Sequence, residues 1–189
     1  MTLEFARQRQ HSELPGRAVP YFLSAGGGDR AQLFDQLVTV LLSGQETEGQ
    51  FGVFTLDGPR GDAIPAHSHA DVHEIFYVLE GKVNVWIQDA DGTVLNELLE
   101  PGDFGYVPAG LMHSFRIEQD STKIFGVCTG GFERFFETAG TPTEATSVPE
   151  KPYVPSREQL AAAAEKFHQR FDFALRFDNE PPRHSHDHD

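Results

Sequence analysis

Between residues 51 and 128, apolar positions recur in short runs broken by Gly, Pro and Asp. Residues 51–56 (Phe-Gly-Val-Phe-Thr-Leu) read as a strand closed by the turn Asp57-Gly58-Pro59. Residues 74–79 form a second strand with apolar residues on both faces, ended by Gly81. Residues 82–88 alternate cleanly, with Val83, Val85 and Ile87 on one face and Lys82, Asn84, Trp86 and Gln88 on the other. Asp91-Gly92 is a tight hairpin signal. Further strands are expected at 94–99, 104–107, 114–118 and 123–128, with Pro101-Gly102-Asp103 turning between the first two. Strands this short and regular predict an all-β fold, an antiparallel sandwich or barrel.

The flanks read differently. Residues 1–20 are polar, carry Pro15 and Pro20, and are expected to form an N-terminal arm. The barrel region is taken as residues 21–138, opening with Tyr21-Phe22-Leu23 and a break at Gly26-Gly27-Gly28. Thr and Pro dominate residues 139–155, an extended connector. A C-terminal helix is predicted over 156–178, with Ser156 and Gln159 as a capping box and Leu160, Phe167, Phe171 and Leu175 along it. In the tail, 179–189, His alternates with Ser and Asp, a composition that binds metal adventitiously. No internal repeat is visible, so a single barrel is expected.

Composition narrows the function. The chain has 189 residues, long enough for one sizeable core, and a net charge of −14. So acidic a chain leaves no room for a broad basic face, which argues against nucleic acid and anionic membranes as partners. Its apolar runs are far shorter than a membrane span, and residues 1–10 lack a signal peptide's apolar stretch. The single cysteine, Cys128, excludes an intrachain disulfide and a CxxC site, so a cytoplasmic location is expected and any metal must be held by His and carboxylate.

Four histidines fall in the β region: His67, His69, His73 and His113. His67 and His69 are two apart, so on a strand both imidazoles face one way. Glu74 opens the next strand, and His113 follows the turn Pro108-Ala109-Gly110. Neighbouring antiparallel strands lie about 5 Å apart, close enough for such groups to converge inside a barrel. Three neutral imidazoles and a carboxylate suit one divalent ion such as Mn, Fe, Co, Ni, Cu or Zn. The lack of thiolate argues against a structural zinc site.

Glycines frame these residues. Gly61, five residues, His67-x-His69, four residues, Glu74, six residues and Gly81 make one stretch. Gly102, five residues, Pro108-x-Gly110, two residues and His113 make the other. The two resemble the paired motifs of the cupin superfamily, and imply a single jelly-roll-like barrel. They differ in one place: the second motif often ends in Asn, and here that position is Ile117. By resemblance the ligands are His67, His69, Glu74 and His113, with His73 at the wrong spacing. Residues 20–136 further resemble bacterial single-cupin quercetinases (flavonol 2,3-dioxygenases). That likeness rests on Pro20-Tyr-Phe-Leu23, on 61–65, on His73-Glu-Ile-Phe-Tyr-Val-Leu-Glu-Gly81, and on 102–110 through His113-Ser-Phe115.

The resemblance implies a dioxygenase that opens the heterocyclic ring of a flavonol such as quercetin with O2, giving a depside and carbon monoxide; the alternatives are another cupin dioxygenase acting on an enolic or phenolic substrate, or a non-catalytic cupin that binds a small ligand. It implies a nickel or cobalt cofactor, with Mn, Fe or Cu as alternatives, and a homodimer. Glu74 would be both ligand and base for the flavonol 3-hydroxyl, its pKa raised by an apolar wall. Phe76 follows Glu74 inward and Phe115 follows His113, so both are expected to line a substrate pocket. Tyr106, alternating with Phe104, is placed there too, and Tyr21 and Phe34 are expected to cover the mouth. The scarcity of nearby basic residues, only Arg60, Lys82 and Arg116, weighs against a phosphorylated substrate.

Overall fold

A computed structural model describes residues 13–177. The first twelve residues of the expected arm and the whole His-rich tail lie outside the described residues. Two antiparallel sheets face each other. The larger takes β1 (Asp29–Leu33), β2 (Gln36–Leu42), β3 (Phe51–Gly58), β5 (Glu74–Glu80), β8 (Phe104–Val107), β10 (Thr122–Thr129) and β11 (Thr141–Pro142), in the order β11-β1-β2-β3-β10-β5-β8. The smaller takes β4 (His67–His69), β6 (Val83–Gln88), β7 (Val94–Leu99), β9 (Met112–Ile117) and β12 (Gln169–Phe171), in the order β12-β4-β9-β6-β7.

Period-two patterning decides what lies between the sheets. In β3, Phe54 and Leu56 are buried and their neighbours are not. Val83 and Val85 point in, as their alternation predicts, and meet Val78, Phe76, Phe115, Ile117 and Ile124 in one continuous core. Each such side chain contributes roughly 1.5–3 kcal/mol by leaving water. Trp86, on the opposite face of β6, is buried differently: Ala66 and Phe177 cover it from outside, and the Arg116 guanidinium lies 5.5 Å from its ring centre. Gly126 on β10 has a packing reason, since a Cβ there would stand 2.3 Å from the Phe54 ring.

Ile117 occupies the position where the second motif often ends in Asn. Its side chain is wholly buried in the core. Its backbone N–H donates to the Asp62 carbonyl at 2.8 Å, and its carbonyl accepts from Gly61 at 2.9 Å. The position serves packing and strand pairing, with no polar duty for a side chain.

The chain after the barrel departs from the expected single helix. A 3₁₀ turn (Phe132–Arg134) leads into α1 (Phe135–Ala139). Then α2 (Arg157–Lys166) starts at Ser156, whose hydroxyl accepts from the Gln159 N–H. It stops at Lys166, twelve residues before the predicted end at 178. His168 adopts φ 50°, a left-handed conformation uncommon for a side-chain-bearing residue, and residues 169–171 run as β12 beside β4. The apolar spacing that resembled a longer helix belongs to a strand edge: Phe171 pairs with His67 in the sheet. No helix among the described residues is long and apolar enough to cross a membrane.

Candidate metal centre

Both sheets contribute to one buried cluster. The smaller sheet supplies His67 and His69 from β4 and His113 from β9, and the larger supplies Glu74 from the start of β5. His67 and His113 are direct partners across β4–β9, which puts them on one face. One ligand atom from each of the four lies within 4.8 Å of the others, and all four residues are buried. The imidazole centres of His67 and His113 stand 4.2 Å apart, and that of His69 is 5.1 Å from each.

Backbone carbonyls orient two of the rings. His67 Nδ1 donates to the Pro65 carbonyl at 2.8 Å, and His113 Nδ1 donates to that of Leu111 at 3.0 Å. A carbonyl only accepts, so each Nδ1 carries the proton and each Nε2 is left with its lone pair. His113 Nε2 then lies 3.0 Å from Glu74 Oε2. Two lone pairs that close need a positive charge on or between them, either a proton or a cation. His69 Nδ1 is 3.7 Å from the same carboxylate oxygen, and its Nε2 is buried with no hydrogen-bond partner. These features fit a single metal ion held by three imidazoles and a carboxylate.

Electrostatics agree with that chemistry. Burial, reinforced by the neighbouring imidazoles, holds His67 well below its ordinary pKa. Burial also brings His69 down to about 4, despite the opposing pull of Glu74. Both are therefore neutral at pH 7, the form a metal requires. Glu74 corrects an expectation. Burial pushes its pKa up, but the hydrogen bond to His113 and the closeness of His69 and His113 outweigh it, so the net direction is down.

Phenylalanine walls the cluster. Phe76 and Phe115 point inward with ring centres 6.4 Å apart. Phe54, Phe132, Phe135 and Phe136, which the sequence reading passed over, complete the lining with them. Phe132 stands 4.3 Å from the His69 ring. Glu133 anchors it there: this buried carboxylate accepts the N–H groups of Gly44 and Gly131, each at 2.8 Å. The signal was available in Phe132-x-x-Phe135-Phe136, one helical face directly after the last barrel strand. The cavity these rings leave is about 30 Å³, room for a water or two.

Three expected pocket residues lie elsewhere. Tyr106 is on the outer face of β8, because Glu74 pairs with Val107 and Phe76 with Gly105, leaving Phe104 and Tyr106 outside. Its hydroxyl donates to Nδ1 of His73 at 2.8 Å, and the two rings stack. His73 is thus exposed and outside the cluster. Tyr21 packs on the outside of the larger sheet, where its hydroxyl donates to the Leu41 carbonyl at 2.6 Å. Phe34 turns the chain at φ 52° and exchanges backbone hydrogen bonds with Tyr153. Its ring borders a cleft under α2 and does not line the cavity beside His67 and Glu74. Gln169 was also missed. It is buried, directly opposite His69 on β12, and its side-chain carbonyl has no partner.

Residues 53–128 match the sequence profile of the cupin domain. The barrel has the cupin fold. Two curated relatives are similar over a longer stretch. A quercetin 2,3-dioxygenase of Bacillus subtilis is 43% identical over 148 residues, which are 78% of this chain and 42% of that protein. A quercetin 2,3-dioxygenase of Aspergillus japonicus is 32% identical over 148 residues, 76% of this chain and again 42% of the relative. The chain therefore spans under half the length of the curated relatives it matches. Among solved structures, oxalate decarboxylase from Bacillus subtilis superposes with a TM-score of 0.52 at 20% identity, over 58% of this chain and 28% of that one. That likeness concerns the cupin fold alone.

Proposed function

We propose that this cupin is a metal-dependent flavonol 2,3-dioxygenase, which opens the heterocyclic ring of quercetin-like substrates with O2 and yields a depside and carbon monoxide. The observation that carries the reading is the buried cluster of His67, His69, Glu74 and His113 inside a phenylalanine wall. The similarity to two proteins named quercetin 2,3-dioxygenase supports the substrate class.

A divalent transition ion, when bound by these four residues, supplies Lewis acidity to the substrate oxygen it meets. Nickel or cobalt is our assignment, on the resemblance to bacterial single-cupin quercetinases. Glu74 accepts the 3-hydroxyl proton. Its lowered pKa means it is ionised and ready at neutral pH, so it acts through placement more than through basicity. Phe76 and Phe115 keep water from the reacting oxygens and present flat apolar faces to an aromatic ring. A homodimer is part of the reading, supported by the exposed Tyr77, Phe104 and Tyr106 beside the open edge of β8. The cytoplasm is the proposed compartment, in keeping with a lone buried thiol.

The test is anaerobic quercetin binding to protein loaded with Ni, Co or Mn, followed by air. Loss of the flavonol absorption band with carbon monoxide release is the expected result. A shifted band that persists in air would instead make this a ligand-binding cupin without the reaction.

A further inference from the structure

A second space lies beside the metal centre. This cleft, about 620 Å³, runs between Phe34 and Pro65 on one side, Leu160 and Ala164 of α2 on another, and Phe171 and Phe173 on the third. Its lining is apolar but for Ser156 and Arg157. Val154 and Phe173, at its rim, are 69% and 59% exposed, apolar surface that water covers poorly. The volume falls within the roughly 300–1,000 Å³ typical of small-molecule pockets. The cavity beside His67 and Glu74, about 30 Å³, cannot receive a three-ring molecule as it stands.

The two spaces share a wall. Pro65 borders the cleft, and its carbonyl receives the His67 Nδ1 proton. Phe171 also borders the cleft, and its ring stands 5.8 Å from the His67 imidazole. On its other side Phe171 stacks on Phe173 at 5.6 Å. β12, which carries Phe171, is only three residues long and follows the left-handed turn at His168. β12 is an edge strand paired only with β4, so the Phe171 ring can turn without breaking a second ladder.

We propose that the cleft is the docking bay for a planar polyphenol of the flavonol class, and that Phe171 is the partition between the bay and the metal centre. The substrate class rests on the proposed function; the location rests on the cleft itself. One aromatic ring of the ligand stacks in the bay against Phe173, with Arg157 at the rim facing its hydroxyl groups. Swinging of the Phe171 ring joins the bay to the space in front of His67 and lets the oxygen-bearing ring through. The bay holds no metal ligand, so docking there does not require the metal.

The experiment is anaerobic titration of quercetin into metal-free, full-length protein, followed by the absorption band. The metal-free protein is expected to bind. Ala164→Trp, which fills the bay, and Val154→Asp, which charges its exposed rim without touching the core, are each expected to weaken binding at least tenfold. Phe171→Ala is expected to bind at least as tightly and to associate faster. Failure of the metal-free protein to bind, or unchanged binding in both bay variants, overturns the proposal. Bay-dependent binding without carbon monoxide from the metal-loaded protein in air upholds the bay and defeats the dioxygenase reading. Turnover by metal-loaded Ala164→Trp with an unchanged KM does the reverse.

Discussion

Asp62→Asn should make the protein more stable at pH 7 than the wild type, by an amount that vanishes in acid. Asp62 lies in the loop before β4, is 7% exposed, and accepts a 2.6 Å hydrogen bond from Nε2 of the fully buried Gln36. Burial pushes its pKa up to about 6 and Asp35 adds to the rise, while the Gln36 bond opposes it. In the unfolded chain the group titrates near 3.8. The folded protein therefore holds a proton more firmly than the unfolded one between those two values. The contribution to stability is fully present below about pH 4 and is lost as pH rises through 6. A shift of about two pKa units corresponds to about 3 kcal/mol. Asn keeps the shape, offers a carbonyl oxygen to Gln36 Nε2, and does not ionise. Urea unfolding of both proteins from pH 4 to 7.5 measures the difference, which should grow by 2–3 kcal/mol across the window, an order-of-magnitude figure from the same linkage. A difference that stays constant with pH would show that Asp62 is solvated or charge-compensated in the folded state, and the argument from burial would be wrong.

Other predictions concern the site directly. The metal-free protein, studied on the Asp62→Asn background, should lose stability as pH falls from 6.5 towards 4, because unfolded imidazoles take protons that buried His67 and His69 refuse; metal should oppose that loss at a given pH, and a flat profile without metal would contradict the burial of these rings. Glu74→Gln should lower flavonol turnover by about 100-fold or more while keeping much of the bound metal, as measured by turnover and elemental analysis; full turnover would remove Glu74 as the base. His113→Ala should lose the metal and His73→Ala should keep it, since His73 faces solvent with Tyr106; equal metal loss would place His73 in the site. Tyr21→Phe should cost about 1 kcal/mol in unfolding free energy through its bond to the Leu41 carbonyl, with KM for the flavonol unchanged; a raised KM would return Tyr21 to the substrate.

What the sequence determined by itself was local. Alternation over 82–88 put Val83 and Val85 inside and Trp86 on the other face, because side chains in a strand change face at every residue. The two-residue spacing of His67 and His69, with glycines framing Glu74 and His113, pointed to a common focus because strand spacing is short and regular. The same rule failed for Tyr106, since alternation says which residues share a face but not which face is inside. That was decided by the β5–β8 register, which sets Gly105 against Phe76 and sends Tyr106 to solvent. Only the tertiary structure brought Phe171 and Gln169 beside His67 and His69, a pairing across about 100 residues of chain. The helical spacing of Phe167, Phe171 and Leu175 favoured a different local structure there, and sheet pairing overrode it. The net pKa of Glu74 was likewise a matter of assembly: its carboxylate meets an apolar wall and two imidazoles at once, and their relative distances fix the direction.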